Sequence, residues 1–421
     1  MITKPKGTYD IFGTDAKYYN YIRGVFSTVC EYYNYNFIRT PIFEASEVFH
    51  RGVGETTDIV SKETYDFVDR GGRSMTLRPE GTAAVVRSYI ENKMYGFANQ
   101  PIKLYYEGTM YRYERPQAGR YRELTQFGVE VLGSDEASQD AEVISLAYRV
   151  LEELGISDVV VKINTLGDNE SRENYKNALV NYLEPHIHEL CPDCNKRLHK
   201  NPLRILDCKV DAENPILKNA PVITDYLNLE SKKRFEEVLE YLRVLDVDYE
   251  IDTSVVRGLD YYNHTVFEFQ TNLEKFGSAN TLGGGGRYNK LVEVLDGPET
   301  ACVGWACGID RFMMMLKELD ENRDMDSGID VYILGVSKEE RLNAARIAQD
   351  LRWSEIKCEY DTINRGLKAQ FKQADRLKAR TLILLNDEDL SHGVITVKDN
   401  LTHEEEKVDE AEIIDYIISH Q

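Results

Sequence analysis

The chain has 421 residues, 42% hydrophobic and 10% aromatic. Those figures exclude an intrinsically disordered protein and, at this length, predict two or three domains rather than one core. A formal net charge of −21, from 72 Asp and Glu against 51 Lys and Arg, excludes a uniformly basic nucleic-acid coat but not local basic patches, because charges are screened over about 8 Å at physiological salt.

The N-terminal MITKPKGTYDIFG lacks the apolar stretch of a signal peptide. No run approaches the roughly 18 apolar residues that cross a bilayer. Seven cysteines without regular disulfide spacing suit a reducing compartment. A soluble cytoplasmic protein with no membrane association is expected.

The chain is apolar around FIRTPIF (37–43). TLRPEGTAAVVR (76–87) sets Arg78, Glu80 and Thr82 at a Pro-Glu-Gly turn before a helix. LYYEGTMYRY (104–113) and RELTQFGVEVLG (122–133) read as two strands joined by ERPQAGRY (114–121), a loop longer than a tight hairpin prefers. Arg112, Arg115, Arg120 and Arg122 crowd this hairpin, and their planar forks suit carboxylates and phosphates. On the second strand, period two sends Phe127, Val129 and Val131 to the core. It leaves Gln126, Gly128 and Glu130 on an open face shared with Arg112.

A mostly helical, polar stretch at about 166–250 reads as an insertion. Inside it, Cys191-Pro-Asp-Cys194 with His199 and Cys208 resembles part of a zinc site. A complete second short-spaced pair is missing, so free thiols are expected and no metal ligand is assigned. VVRGLDYYNHTVFEFQ (255–270) places Arg257 before a strand bearing Tyr261 and Tyr262. TLGGGGRYNKL and GWACGIDRF pair glycine-rich backbone with Arg287 and Arg311. The glycine run fits neither the Rossmann nor the P-loop spacing, and reads as backbone that a flat ligand approaches closely.

KELDENRDMDSGID (317–330) is the linker candidate. Before it, strands without intervening helices predict an antiparallel sheet flanked by helices. After it, strands alternating with helices predict a small α/β domain with a largely parallel sheet. The expected domains are 1–325 and 326–421. In the second, Val331 to Arg380 carries eleven Lys and Arg against seven Asp and Glu, and Thr381 to Gln421 two against eleven. The basic side holds Lys368, Lys372, Arg376, Lys378 and Arg380.

Taken together, these segments resemble the histidyl-tRNA synthetases, class II aminoacyl-tRNA synthetases, over essentially the whole chain. FIRTPIFEASEVFHRGVGETTDIVSKETYDF looks like the dimer-forming motif 1, YEGTMYRYERPQAGRYRELTQFGVEVLG like motif 2 and GWACGIDRF like motif 3. RGLDYYNHTVFEF and LGGGGRYNKL look like the segments peculiar to the histidine enzyme, and GLKAQFKQADRLKAR like its anticodon-binding domain.

The resemblance implies the class II α+β catalytic fold and a two-step reaction. Histidine and ATP give histidyl-adenylate and pyrophosphate, and the histidyl group then passes to the 3′ end of tRNA(His). It implies that Glu80, Thr82 and Gln126 accept the substrate's ammonium, that Glu130 and Tyr262 hold its imidazole, and that Gly81 and Tyr261 also belong to the histidine-binding set. It puts Arg112 and Arg257 at the α-phosphate and reacting carboxylate as catalytic residues, Arg120 and Arg311 on the distal phosphates, and Arg115 and Gln117 on the tRNA acceptor end. Mg2+ on the ATP phosphates and a homodimer are further expectations. The alternative is a synthetase-like regulatory subunit of ATP phosphoribosyltransferase, which binds histidine without charging tRNA. Such paralogues tend to lose the tRNA-facing loop and the anticodon domain, and this chain keeps ERPQAGRYR and a long segment after the linker.

Overall fold

The computed structural model describes the chain except residues 55, 56, 58, 117, 118, 207, 209, 258, 260, 274–279, 320–324, 326 and 421. It divides into two compact units, Met1–Arg323 and Asp324–Gln421.

The first unit opens with α1 (Thr14–Tyr32), whose Tyr18, Ile22, Phe26 and Val29 recur at helical spacing and are buried. Short strands β1 (Asn36–Phe37) and β2 (Phe43–Ala45) lead to α2 (Ser46–Val53), and β3 (Tyr65–Val68) and β4 (Ser74–Leu77) return to the Pro-Glu-Gly turn and α3 (Thr82–Glu91). The long hairpin is β5 (Ile102–Tyr111) with β6 (Glu123–Leu132), in register from Ile102 opposite Leu132 to Tyr111 opposite Glu123. After it, α4 (Ala137–Leu154) ends on Gly155 at φ 73°, and Ile156 donates its N–H back to the Leu151 carbonyl.

β7 (Val159–Thr165) is followed by α5 (Asn169–Leu183), α6 (Pro192–Arg197), α7 (Leu203–Leu206), α8 (Pro215–Lys218), α9 (Leu229–Val244) and β8 (Tyr249–Ile251). Helices α5 to α8 close around a small core of their own that includes Tyr175, Leu179, Leu203 and Ile205. α9 instead packs on α4, and β8 pairs parallel to β7. The helical stretch therefore leaves the sheet and re-enters it at the same edge. The unit ends with β9 (Asn263–Thr271), β10 (Thr281–Arg287), α10 (Leu291–Val294), β11 (Cys302–Gly308) and α11 (Ile309–Leu319).

The main sheet has eight strands in the order β1-β5-β6-β11-β10-β9-β7-β8. Every inner pairing is antiparallel, while the edge pairs β1 with β5 and β7 with β8 are parallel. Phe127 faces α1, where Phe26 stacks on it at 4.3 Å and Trp305 and Phe312 close the cluster. The Glu130 face departs from the expected open surface: Glu130 is 1% exposed. Tyr106, Tyr288 and α3 roof it in one buried cluster. Two further departures concern the segments after the insertion. Tyr261 and Tyr262 precede β9 rather than lying on it. The four-glycine run is the interior of β10, and a Cβ at Gly285 would overlap the Gly304 carbonyl of the neighbouring strand.

In the second unit β12 (Ile329–Leu334), α12 (Lys338–Trp353), β13 (Cys358–Tyr360), α13 (Leu367–Arg376), β14 (Ala379–Leu384), α14 (Asp387–Ser391), β15 (Val394–Asp399), β16 (Glu405–Asp409) and α15 (Ile413–Ser419) build a five-stranded sheet ordered β13-β12-β14-β15-β16. A capping box between Ser337 and Glu340 starts α12. The sheet is mixed: β13, β12 and β14 run parallel, whereas β14, β15 and β16 alternate. The connections after β14 are too short for the crossover a parallel neighbour needs. Lys368, Lys372, Arg376, Lys378 and Arg380 are exposed on or just after α13. At the linker candidate, its first residues belong to α11 and its last to β12.

Candidate active site

The floor of the site is a row of small residues running across the sheet. Gly128 of β6 lies opposite Ala306 of β11, and Ala306 opposite Gly284 of β10. One step along, Glu130 is opposite Gly304, and Gly304 opposite Gly286. A Cβ on Gly304 would overlap a Glu130 oxygen, and one on Gly284 would overlap the Arg257 guanidinium. Longer side chains at these two positions would fill the space that Glu130 and Arg257 occupy.

Glu130 accepts from the Thr82 hydroxyl at 2.7 Å and from the Tyr288 hydroxyl at 2.5 Å. Burial pushes its carboxyl up to about 8, against the opposing pull of those two hydroxyls. Tyr106 lies alongside, its ring in a slot left by Gly81 and Gly128, where any Cβ would collide with it. Burial and the nearby Glu130 and Glu80 carboxylates hold the Tyr106 hydroxyl well above its usual range.

The turn before α3 supplies the next group. Both Glu80 oxygens are used locally, accepting from the N–H groups of Thr82 at 2.7 Å and Ala83 at 2.9 Å, so the side chain caps the helix it precedes. Burial raises the Glu80 carboxyl above its ordinary value. Gln126 accepts the Gly81 N–H at 3.0 Å, which ties this turn to the sheet floor. Arg78 fixes the turn from beneath, donating to the Thr109 and Thr40 carbonyls at 2.9 Å each.

Opposite stands Arg257, in left-handed backbone at φ 59°. It donates to Glu268 at 2.5 Å, and its guanidinium lies 5.8 Å from the Tyr262 ring centroid. Burial alone would depress its basicity; Glu268 and Tyr262 outweigh that and raise it. Its Nε is buried without a hydrogen-bond partner among the described residues. Tyr262 is buried, and Tyr261 stacks obliquely between it at 4.7 Å and Tyr288 at 5.6 Å. Burial, Tyr262, Glu80 and Glu130 all raise the Tyr261 hydroxyl, so the structure groups these tyrosines with both carboxylates.

A cluster of cations borders the hairpin loop. Arg112 donates to the Pro79 carbonyl at 2.8 Å, and Glu114 lies 4.0 Å from Arg112 and 3.6 Å from Arg120. Arg311, in the first turn of α11, donates to the Thr281 and Gly119 carbonyls. Burial, then repulsion from Arg120 and Arg112, hold Arg311 below its ordinary range. Three guanidiniums that repel one another in a half-buried space favour a polyanion between them. Arg115 is exposed on the loop. Gln117 lies outside the described residues.

Two other groups complete the site. Tyr288 and Glu268 contact the residues singled out from the sequence, yet neither stood out there. An aromatic after a glycine run reads as core, and a glutamate on an alternating strand reads as solvent-facing. Arg287, by contrast, is structural: it is fully buried and donates to Asp140 at 2.9 Å and to the Ser134 carbonyl at 2.8 Å.

An antiparallel sheet with buried carboxylates, tyrosine hydroxyls and converging arginines on one face is the frame of a class II aminoacyl-tRNA ligase. The chain belongs to the histidyl-tRNA synthetase family: the family profile matches residues 7–312, and that of an anticodon-binding domain matches 330–420. It is 51% identical over 404 residues to the histidine–tRNA ligase of Bacillus cytotoxicus, covering 96% of each chain. The solved apo histidyl-tRNA synthetase of S. aureus superimposes with a TM-score of 0.85 at 42% identity, covering 99% of this chain and 100% of that one. A Bacillus halodurans structure described as an ATP phosphoribosyltransferase regulatory subunit/histidyl-tRNA synthetase shares the fold, with a TM-score of 0.65 at 22% identity over 89% of this chain and 96% of that one.

Proposed function

We propose that the histidine–tRNA ligase activity of this family is carried here by the residues grouped on the sheet floor. The observation that supports this most is the buried Glu130 carboxyl, set over Gly304 and ringed by the Thr82 and Tyr288 hydroxyls. A ring with one nitrogen donor and one acceptor matches such a mixed set. A substrate lacking those nitrogens would leave buried groups unpaired, a penalty worth factors of roughly 10⁴ in comparable sites.

In this reading Glu130, Tyr261 and Tyr262 hold the imidazole, and Glu80, Gly81, Thr82 and Gln126 receive the amino-acid end. Thr82 donates its hydroxyl hydrogen bond to Glu130 and keeps lone pairs for the ammonium. One histidine carboxylate oxygen attacks the α-phosphorus of ATP, and the bond to pyrophosphate breaks. Arg112 and Arg257 neutralise charge at the reacting phosphorus and carboxylate, and Arg120 and Arg311 hold the departing phosphates. Mg2+, where it accompanies ATP, would add to the charge neutralisation that Arg112, Arg120 and Arg311 supply. The terminal ribose of tRNA(His) then takes the histidyl group and AMP leaves. Arg115 and Gln117 grip the acceptor end, and the exposed basic side of α13 meets the anticodon.

Phe37, Phe43, Phe67 and Val68 on β1, β2 and β3, with Ile42 just before β2, are exposed, an apolar surface that supports a homodimer through this region. Sedimentation of an active monomer at micromolar concentration would remove that part. A cytoplasmic location is supported by seven cysteines of which none forms a disulfide. No helix among the described residues is long and apolar enough to cross a membrane.

The deciding experiment is histidine-dependent exchange of pyrophosphate into ATP without tRNA or any partner protein, followed by charging of tRNA(His). Exchange and charging are both expected. A folded protein that binds histidine and shows no exchange would establish the regulatory reading instead.

A further inference from the structure

Within the helical stretch between β7 and β8, three thiols and a carboxylate converge. The Sγ atoms of Cys191, Cys194 and Cys208 and a carboxylate oxygen of Asp211 all lie within 4.8 Å of one another. The chain supplies them as two short-spaced pairs, Cys191-x-x-Cys194 and Cys208-x-x-Asp211, with aspartate where a second cysteine pair would have its last thiol. His199 is not part of the group and lies 3.8 Å from Glu184.

We propose that Cys191, Cys194, Cys208 and Asp211 are the ligands of a structural zinc ion. Cys191 Sγ and Cys208 Sγ are 3.7 Å apart, far beyond a disulfide bond of about 2.05 Å. A tetrahedral zinc site with zinc–sulfur bonds of about 2.3 Å has sulfur–sulfur edges of about 3.8 Å. Cys208 Sγ is 3.6 Å from Asp211 Oδ2, and the matching sulfur–oxygen edge of such a site is also about 3.6 Å. The Cys191 N–H donates to both Asp211 oxygens, at 3.2 and 3.0 Å, which orients the carboxylate as the outer hydrogen bonds of metal sites do.

Burial supports the same conclusion. Cys194, Cys208 and Asp211 are buried and Cys191 is half-buried, and no ion pair offsets Asp211 among the described residues. Buried charged groups are paired or coordinate metals. Zinc would supply the charge and take the thiols as thiolates. Thiolate-rich tetrahedral sets select zinc among common divalent ions, and four protein ligands leave no open position for catalysis.

The ion would stabilise elements that are weak alone. α6, α7 and α8 have six, four and four residues, far below the length at which isolated helices persist. It also bears on the active site. Between the two ligand pairs, Arg204 donates to the Arg257 carbonyl at 3.2 Å, and Leu206 packs against Val255, Val256 and Tyr262. The zinc knuckle thus fastens the segment that holds Arg257 in its left-handed conformation. This last link rests on the role proposed for Arg257; the metal site does not.

The test is elemental analysis of the full-length protein, prepared with zinc in the medium and no metal-affinity tag. About one tightly held zinc per chain is expected, lost in Cys194→Ser and Cys208→Ser and kept in His199→Ala. Asp211→Asn should surrender zinc faster to a chromogenic chelator. If the cysteine variants fail to fold, cobalt(II) exchange into the unmodified protein decides, because thiolate-to-cobalt charge-transfer bands and intense tetrahedral d–d bands are expected. Metal-free protein with reactive thiols, a disulfide among these cysteines, or iron or copper in place of zinc would each overturn the proposal. Removing the zinc should also lower histidine-dependent pyrophosphate exchange; unchanged exchange would overturn the link to Arg257.

Discussion

Tyr288 donates its hydroxyl to Glu130 across 2.5 Å, joining the end of the glycine strand to the hairpin strand β6 beneath the roof of α3. The tyrosine ring is part of the core, and its oxygen reaches Glu130. Replacing Tyr288 by phenylalanine keeps the packing and removes one donor from a buried acceptor, which costs about 1–3 kcal/mol. The expected outcome is a KM for histidine raised roughly ten- to a hundredfold, with the KM for ATP little changed, read by pyrophosphate exchange. Equal damage to both constants would mean that Tyr288 serves only the fold.

The Glu130 carboxyl titrates near neutrality, so stability should depend on pH through it. Its folded value of about 8 lies above the ordinary 4.5. Between those limits the folded protein keeps a proton that the unfolded chain has lost. Stability is therefore greatest at the acid end and falls as pH rises, by up to about 1.4 kcal/mol per pH unit, until it levels off above the folded value. Asp310, raised to about 6 by burial, adds a shorter decline of the same sign. In Glu130→Gln, denaturation midpoints measured across this range should fall less steeply than in the unmodified protein. An identical slope would show that Glu130 does not carry the proton.

Gly304→Ala places a methyl where the Glu130 carboxylate sits. Overpacking of this kind costs about 1–3 kcal/mol, and the carboxylate must swing away from its hydroxyl partners. Histidine activation should drop at least roughly tenfold, while the circular dichroism spectrum stays that of the folded enzyme. Normal exchange by the alanine variant would show that the floor has room to spare.

Arg257 and Glu268 form an ion pair that is mostly shielded, with side chains 17% and 19% exposed, and removing one member leaves the other without its counter-charge. Arg257→Ala alone should lose about 3–5 kcal/mol of stability together with activity. The combined Arg257→Ala and Glu268→Gln change should recover much of the stability and none of the exchange. Exchange is expected to stay down roughly 10²–10³-fold, the size of effect seen when a transition-state donor is removed. Recovery of exchange in the double variant would reduce Arg257 to a structural ion-pair partner.

The hairpin arginines should divide by depth. Arg112 is half-buried and anchored to the Pro79 carbonyl, whereas Arg115 is exposed. Arg115→Ala should slow tRNA charging by roughly ten- to a hundredfold, the worth of one lost base contact of about 1–3 kcal/mol, and leave exchange nearly intact. Arg112→Ala should depress exchange and charging together. A fall in exchange with Arg115→Ala as deep as that in charging would assign the whole loop to ATP.

Much of this site is legible in the sequence because its polar residues break apolar periodicity. Glu130 interrupts a strand of valines, Arg112 follows a tyrosine-rich strand, and the Pro-Glu-Gly turn announces the start of α3. The burial of Glu130 is not legible. It depends on Tyr106, placed opposite Gly128 by hairpin register, and on Tyr288, which arrives from β10. The glycine run is also opaque, because glycine is depleted in strands and weakens them. Only its position between β9 and β11, where neighbouring backbone and Arg257 crowd every prospective Cβ, makes it a strand. In the second unit, alternating strands and helices reveal the α/β character, but the direction of β15 follows from connection length rather than from its own residues.

The glycine and alanine row across β6, β11 and β10 gives the site an unusual relation to mutation. Elsewhere in a binding pocket, selectivity resides in atoms, and losing them blunts it. Here the floor contributes only the room it leaves for Glu130 and Arg257, and glycine is already the smallest residue. Any replacement at Gly304 or Gly284 can only add volume, so genetic drift at these positions runs in a single direction, toward a blocked pocket. No substitution there can loosen the enzyme toward a larger amino acid. Relaxed choice of substrate would have to originate in the roof, at Tyr106, Tyr261 or Tyr288, where side chains remain to be trimmed.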